Sequence, residues 1–335
     1  MAKIKDTDYL FSTARVRSIE KNMLTRERAE KMIDAKTIED ALRVLDECDY
    51  GYGIEPIVPN DYEKLLTDEH KKAYDFIMTI APELNYFKMF LYPYDYHNLK
   101  VLMKSEYLGI DFSSSLVDTG SIELKTLKYA LKERDFTKLT EIMGKALKEV
   151  IEVFPKTMDP QLIDIIFDKN CYDEMLKSAE QTNSLFIEDY VRLQIDTINI
   201  KTHVRLKKMN KSWDFFTKVF IPGGKINEQV FFSNFNEPYE KFSDQLAAYG
   251  FKEVFLLGTQ ALEETGLFTL LEKLLDNKII QYVKDSKYIP FGIEPLASYL
   301  IAKDNEIKIA RIILAGKISG ISSELIKERL RETYV

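Results

Sequence analysis

Histidine, cysteine and tryptophan are scarce in this 335-residue chain, which holds three, two and one of them. The histidines, His70, His97 and His203, stand at no zinc-ligand spacing, and there is no His-Glu-x-x-His or Cys-x-x-Cys. The phosphate-cradling G-x-x-x-x-G-K-[ST] loop is missing. Gly316-Lys317 runs into Ile318, and Gly223-Gly224-Lys225 lacks both a distant glycine and a hydroxyl partner. No G-x-S-x-G elbow occurs. These absences point away from an enzyme and predict no catalytic residue, cofactor or metal. The cysteines, Cys48 and Cys171, are too few and too far apart for a disulfide scaffold, so two thiols in a reducing cytosol are expected.

Glycine and proline are also sparse, 13 and 10 residues, against an average joint usage of about 12%. All-β folds use both freely in turns, so that class is disfavoured. Long apolar runs are lacking as well. The longest stretch without a charge is nine residues, Val254 to Leu262, whereas a spanning helix needs about 20. The first residues carry no signal-peptide-like apolar run. Against 47 Lys and Arg stand 54 Asp and Glu, a net charge of −7. That balance argues against general affinity for nucleic acid.

What the chain has in abundance is helical periodicity. From Tyr62, apolar residues recur at Leu66, Ala73, Ile77, Ile80 and Leu84, with N-cap chemistry at Asn60-Asp61 and an end or a kink at Pro82. Asp159-Pro160 predicts a helix start, and the helix reaches about Ala179. Another is expected from Ser184 to about Met209. Ile293, Leu296, Leu300, Ile307, Ala310 and Leu314 predict a long amphipathic helix, followed by a last one capped by Ser322 or Ser323. Phe231 to Phe235 fits a loop or helix start better than a strand. The expected class is all-α.

The most informative feature is an internal repeat. Asp95-Tyr-His-Asn98-Leu-Lys100 recurs as Asp196-Thr-Ile-Asn199-Ile-Lys201 and, more weakly, as Lys303-Asp-Asn-Glu306-Ile-Lys308; the Asn98, Asn199 and Glu306 positions are 101 and 107 residues apart. Similar short helices are expected after each copy, near Ser121, Ile226 and Ile321. The period suits three related helical domains, 1–115, 116–220 and 221–335, in which the N-terminal helix could pack with the third.

Asn98 and Asn199 are expected to hydrogen-bond across a helix pair as buried locks. Lys100, Lys201 and Lys308 would then face outward or line a cavity, or form an equivalent set touching a partner. Apolar loop residues after the motif helices, Leu108 and Ile110, then Phe220 and Ile221, are candidates for a partner interface if exposed and for core if tucked in. His97 aligns with Ile198 and Asn305, so a structural or surface role outranks a catalytic one.

The segment Phe291-Gly-Ile-Glu-Pro-Leu-Ala-Ser-Tyr-Leu-Ile-Ala-Lys-Asp-Asn-Glu-Ile-Lys-Ile-Ala-Arg-Ile-Ile-Leu-Ala-Gly-Lys-Ile-Ser-Gly320 resembles the C-terminal signature of the C subunits of archaeal and bacterial V-type ATPases, relatives of the eukaryotic d subunit. Ala14-Arg-Val-Arg17, Ile38-Glu-Asp-Ala-Leu-Arg-Val-Leu45, Tyr50-Gly51 and the two Asp-x-x-Asn-[Leu/Ile]-Lys copies match the same family. The resemblance implies an all-α funnel of three domains with pseudo-threefold symmetry. It also implies a non-catalytic rotor protein on the cytoplasmic face of the membrane, joining the central stalk to the proteolipid ring for ATP-driven H⁺ or Na⁺ transport or ATP synthesis. Deleting residues 321–335 is then expected to uncouple ATP hydrolysis from transport. A cytosolic helical scaffold with unrelated partners is the alternative, and a helical hydrolase a third.

Overall fold

The computed structural model describes residues 4–51 and 61–335, and among them there are helices and no strands. The chain runs through α1 (Leu10–Glu20), α2 (Arg26–Asp34), α3 (Ile38–Asp46), α4 (Tyr62–Ile80), α5 (Tyr92–Leu108), α6 (Leu124–Glu133), α7 (Glu141–Thr157) and α8 (Pro160–Gln181). It continues through α9 (Leu185–Lys208), α10 (Trp213–Val219), α11 (Glu228–Asn234), α12 (Tyr239–Leu246), α13 (Lys252–Thr265), α14 (Thr269–Lys284), α15 (Ile293–Ile318) and α16 (Ser323–Arg329). Two compact units result: Asn85–Glu237, and the residues up to Leu84 together with Pro238–Val335.

Local chemistry caps eight of the sixteen α-helix starts among the described residues. The side chains of Thr25, Thr37, Thr140, Asp159, Ser184, Ser212, Asn227 and Ser322 each accept a first-turn backbone N–H that the helix itself leaves unpaired. Pro160 sits in the first turn of α8, where its missing donor costs nothing. Asp61 occupies the N-cap of α4, but its side chain makes no cap bond, and Asn60 lies outside the described residues. Phe231 to Asn234 is helical, within α11.

In the unit Asn85–Glu237, α8 is the shared wall, packing against α5, α7 and α9. Its buried residues include Ile163, Phe167, Cys171 and Met175, four apart along one face of the helix. Antiparallel α5 and α8 are laced by Lys100 to Asp168 at 2.5 Å and Lys104 to Asp164 at 2.7 Å. Beneath them the Tyr96 hydroxyl donates to buried Glu174 at 2.7 Å.

The other unit is organised around α15, against which α1, α2, α3, α4, α14 and α16 pack. The expected amphipathic helix is instead buried nearly all round, with 18 of its 26 residues inside. The reason is that the N-terminal segment covers the face that would otherwise meet water, so the polar residues of α15 find protein partners. Residues after α16 belong to this core: Ile326, Leu330 and Tyr334 are buried, and Tyr334 donates to Glu20 at 3.2 Å. A deletion of 321–335 would therefore open the core, and loss of coupling in it would not isolate an interface.

Candidate functional site

The three repeat copies lie at the middle of α5, α9 and α15. In the first, Asn98 donates from Nδ2 to the Val117 carbonyl at 2.8 Å, and its Oδ1 accepts the Val117 N–H at 2.9 Å. One helical turn earlier, Asp95 accepts the N–H groups of Ser121 and Ile122 at 3.0 and 3.1 Å and the Ser121 hydroxyl at 2.6 Å. In the second, Asn199 makes the same pair of bonds to Ile221, at 2.7 and 3.0 Å. Asp196 accepts from Lys225 and Ile226, both at 3.0 Å. The asparagines are buried locks, as expected, but they do not join a helix pair. They clasp the backbone of the segment that returns along their own helix, because a carboxamide offers a donor and an acceptor that match the C=O and the N–H of a single residue.

A glycine fits each clasp. A Cβ on Gly120 would lie 2.1 Å from Asp95 Oδ1, and one on Gly224 2.1 Å from Asp196 Oδ1. Both aspartates are buried, which pushes each pKa up to about 6 despite the N–H groups they accept. His97 also serves the first clasp: its Nε2 lies 2.8 Å from the Ser115 carbonyl oxygen on an exposed part of α5.

The third copy departs from this pattern. Lys303, at the position of Asp95, is 4% exposed, and its Nζ lies 3.0 Å from Glu69 on α4 and 2.7 Å from Glu306. Glu306, at the Asn98 position, accepts the Leu24 N–H at 2.6 Å and the Tyr50 hydroxyl at 2.7 Å. Burial opposes the charge on Lys303, but Glu306 and Glu69 outweigh it and hold the pKa above the usual lysine value. The returning tail is held one residue earlier, where Asn305 donates to the Glu332 carbonyl at 2.8 Å. In chain order α16 stands between its motif helix and the clasped tail, as α10 does, whereas the helices that Ser121 and Ile226 precede come after the clasp.

The candidate contact residues do not share one environment. Lys100 is committed to Asp168, Lys201 is half-buried with an interaction of its own, and Lys308 is exposed. Leu108 and Ile110, 41% and 52% exposed, flank Gly109, whose φ of +65° ends α5. Phe220 and Ile221 are buried: Ile221 is the residue clasped by Asn199, and Phe220 packs with Phe216 and Phe231, so this loop tucks into its own unit. A cavity of about 460 Å³ lies between α8, α9 and α10, with Ile165, Tyr172, Leu206, Phe215 and Val219 among its walls and Arg205 and Lys211 at its polar side. Among the described residues no cluster of His, Cys, Asp and Glu could hold a metal, and no helix is long and apolar enough to cross a membrane. Sequence reasoning missed Gly120, Gly224, Glu69, Tyr50 and Leu24; the signal the two glycines share is the local pattern Gly120-Ser-Ile122 and Gly224-Lys-Ile226, at unequal distances from the two aspartates.

Comparison with known proteins places these features. The family described as ATP synthase (C/AC39) subunit matches residues 12–329. The V-type sodium ATPase C subunit of Enterococcus hirae is 27% identical over 319 residues, covering 95% of this chain and 97% of that protein. The A-type ATP synthase C subunits of Desulfurococcus sp. and Methanosarcina acetivorans are 24% and 25% identical, covering 97% of this chain and 91% and 93% of theirs. With the match extending through all three motif helices, the chain belongs to the ATP synthase (C/AC39) subunit family, whose members are subunits of V- and A-type ATPases.

Proposed function

We propose that this chain is the non-catalytic rotor protein that joins the central stalk of a V/A-type ATPase to its membrane proteolipid ring, on the cytoplasmic face. The observation that carries this reading is the family match over 12–329 in a chain without a nucleotide-binding loop of its own. In this reading α5, α9 and α15 are corresponding members of three related domains, and residues up to Leu84 belong with α15 rather than with α5. Torque transmission requires parts that deform little. Close-packed helices meet that need, and the clasps add directional bonds that fix each returning segment against its motif helix. Lys308, Leu108 and Ile110 are the exposed candidates for contact with the stalk or ring.

The test is binding of the purified chain to membranes that carry the proteolipid ring but have been stripped of peripheral proteins. The chain should bind them saturably, bind separately to the isolated stalk, and hydrolyse no ATP. Failure to bind either, with capture of unrelated soluble proteins instead, would favour a scaffold. ATP hydrolysis by the chain alone would favour an enzyme.

A further inference from the structure

The end of α9, the following loop and α10 make the most basic part of an acidic chain. Between residues 201 and 220 there are six Lys and Arg and one carboxylate, Asp214, within a chain of net charge −7. Lys208, Lys211 and Lys218 are exposed, and none forms an ion pair among the described residues. Lys211 lies over the Phe215 ring at 5.6 Å, which leaves its charge available to solvent. The facing carboxylates of α8 are already matched, Asp164 by Lys104 and Asp168 by Lys100. They do little to cancel the field of the three lysines.

Large apolar side chains are interleaved with these cations. Met209 is 62% exposed and Phe232, on α11, is 51% exposed. Half-buried Trp213, the single tryptophan, sits with its ring centroid 5.0 Å from that of Phe232 in an edge-to-face contact. Tryptophan and phenylalanine beside lysine is the combination that the headgroup layer of a bilayer favours, since the rings are amphipathic or apolar and the ammonium groups meet phosphate.

We propose that this face, made by the C-terminal end of α9, α10 and the exposed side of α11, rests on the headgroup layer of an anionic phospholipid bilayer. The inference rests on the proposed seat beside a membrane ring, but it concerns lipid rather than the ring itself. An anionic bilayer fits better than an acidic polypeptide. The cations are spread over a helix end, a loop and a second helix, and a fluid field of phosphates can meet all three while the apolar groups enter the interface.

Trp213 makes the test local. The full chain is mixed with vesicles of phosphatidylcholine alone or with phosphatidylglycerol. With the anionic vesicles, Trp213 emission should shift to the blue and be quenched by brominated acyl chains. Both effects should vanish in pure phosphatidylcholine and at 1 M salt, where the screening length falls to about 3 Å. The triple variant Lys208→Gln, Lys211→Gln, Lys218→Gln should bind roughly 100-fold more weakly, about fivefold for each lysine near the surface, with an unchanged helical circular dichroism spectrum. No shift on anionic vesicles, an equal shift on neutral ones, or unweakened binding by the triple variant would overturn the proposal. So would the same shift produced by dissolved polyglutamate, which would assign the face to an acidic protein. A chain that binds ring-bearing membranes but not lipid vesicles would keep the rotor reading and lose this one.

Discussion

The first two repeat copies and the third solve the same packing problem with different chemistry. On α5 and α9 an aspartate and an asparagine one turn apart hold the backbone of a returning segment, with matching partners and nearly matching distances. On α15 those positions carry Lys303 and Glu306, which hold Glu69, Tyr50 and Leu24 from the N-terminal part of the chain. The returning tail there falls to Asn305, next to Glu306. The difference teaches that a motif helix needs its mid-length polar groups satisfied, and that the partner is negotiable. Where the N-terminal part of the chain is docked, a clasp on uncharged backbone groups is replaced by an ion-paired one.

The ionic version should be the costlier to break. Glu306→Ala leaves Lys303 with one carboxylate and strands the Leu24 N–H and the Tyr50 hydroxyl. Removing one member of a buried ion pair typically costs about 3–5 kcal/mol. Urea unfolding should therefore show a loss in that range, the largest among single polar substitutions in the molecule. A loss below about 1 kcal/mol, the yield of an exposed pair, would mean that the network contributes nothing to docking the N-terminal segment.

The backbone clasps should lose less, and equally. Asp95→Ala and Asp196→Ala each remove a buried acceptor and should cost about 1–3 kcal/mol. Gly120→Ala and Gly224→Ala should mimic them, because the added Cβ would sit on the carboxylate oxygen and expel it. The double variant Asp95→Ala with Gly120→Ala should then be far less than additive, since the second change finds the clasp already open. Additive losses would separate the glycine from the aspartate and break the equivalence of the two copies.

A pH effect sharpens the contrast within the second copy. His203, one turn past Asn199, is buried among Phe216, Phe231 and Phe235, and burial pushes its pKa down to about 3. The folded state thus keeps it neutral while the unfolded chain takes up a proton below about pH 6.5. Its contribution to stability is whole above that pH and is lost as pH falls toward 3. Asp95 and Asp196 act in the opposite sense: a folded pKa near 6 makes their contribution grow as pH falls from 7 toward 4. Melting temperatures of wild type and His203→Leu should diverge in favour of the variant between pH 6.5 and 4. Parallel curves would remove His203 from the account.

The smallest effect is expected at the exposed end of the comparison. Lys308, two residues from Glu306 but in solvent, should tolerate Lys308→Ala within about 0.5 kcal/mol. In the proposed rotor reading Lys308 is a contact residue, so ring or stalk affinity, not thermal stability, is the quantity to measure.

Much of this was legible in the residues. Helix starts such as Asp159-Pro160 and Ser184 are local chemistry, and local chemistry is read directly. The repeat located all three motif helices. What it could not give was the partner of each polar group, because the loops between motif and clasp differ in length. Only a three-residue 3₁₀ turn precedes Val117, but the seven-residue α10 precedes Ile221, so Gly120 and Gly224 stand 22 and 25 residues after their asparagines. The amphipathic reading of α15 failed for a related reason. Lys303, Asn305 and Glu306 look like a solvent face until the segment that covers them, distant in sequence, is in place. Phe220 and Ile221 were ambiguous because an apolar loop is read the same way whether it meets a partner or its own unit.

The most direct test of the rotor reading is reconstitution of the ATPase in sealed vesicles with and without this chain, measuring ATP hydrolysis and ion uptake together. The account predicts that the head hydrolyses ATP in both preparations but that ions enter the vesicles only when the chain is present. Equal, ATP-dependent uptake in its absence would contradict it.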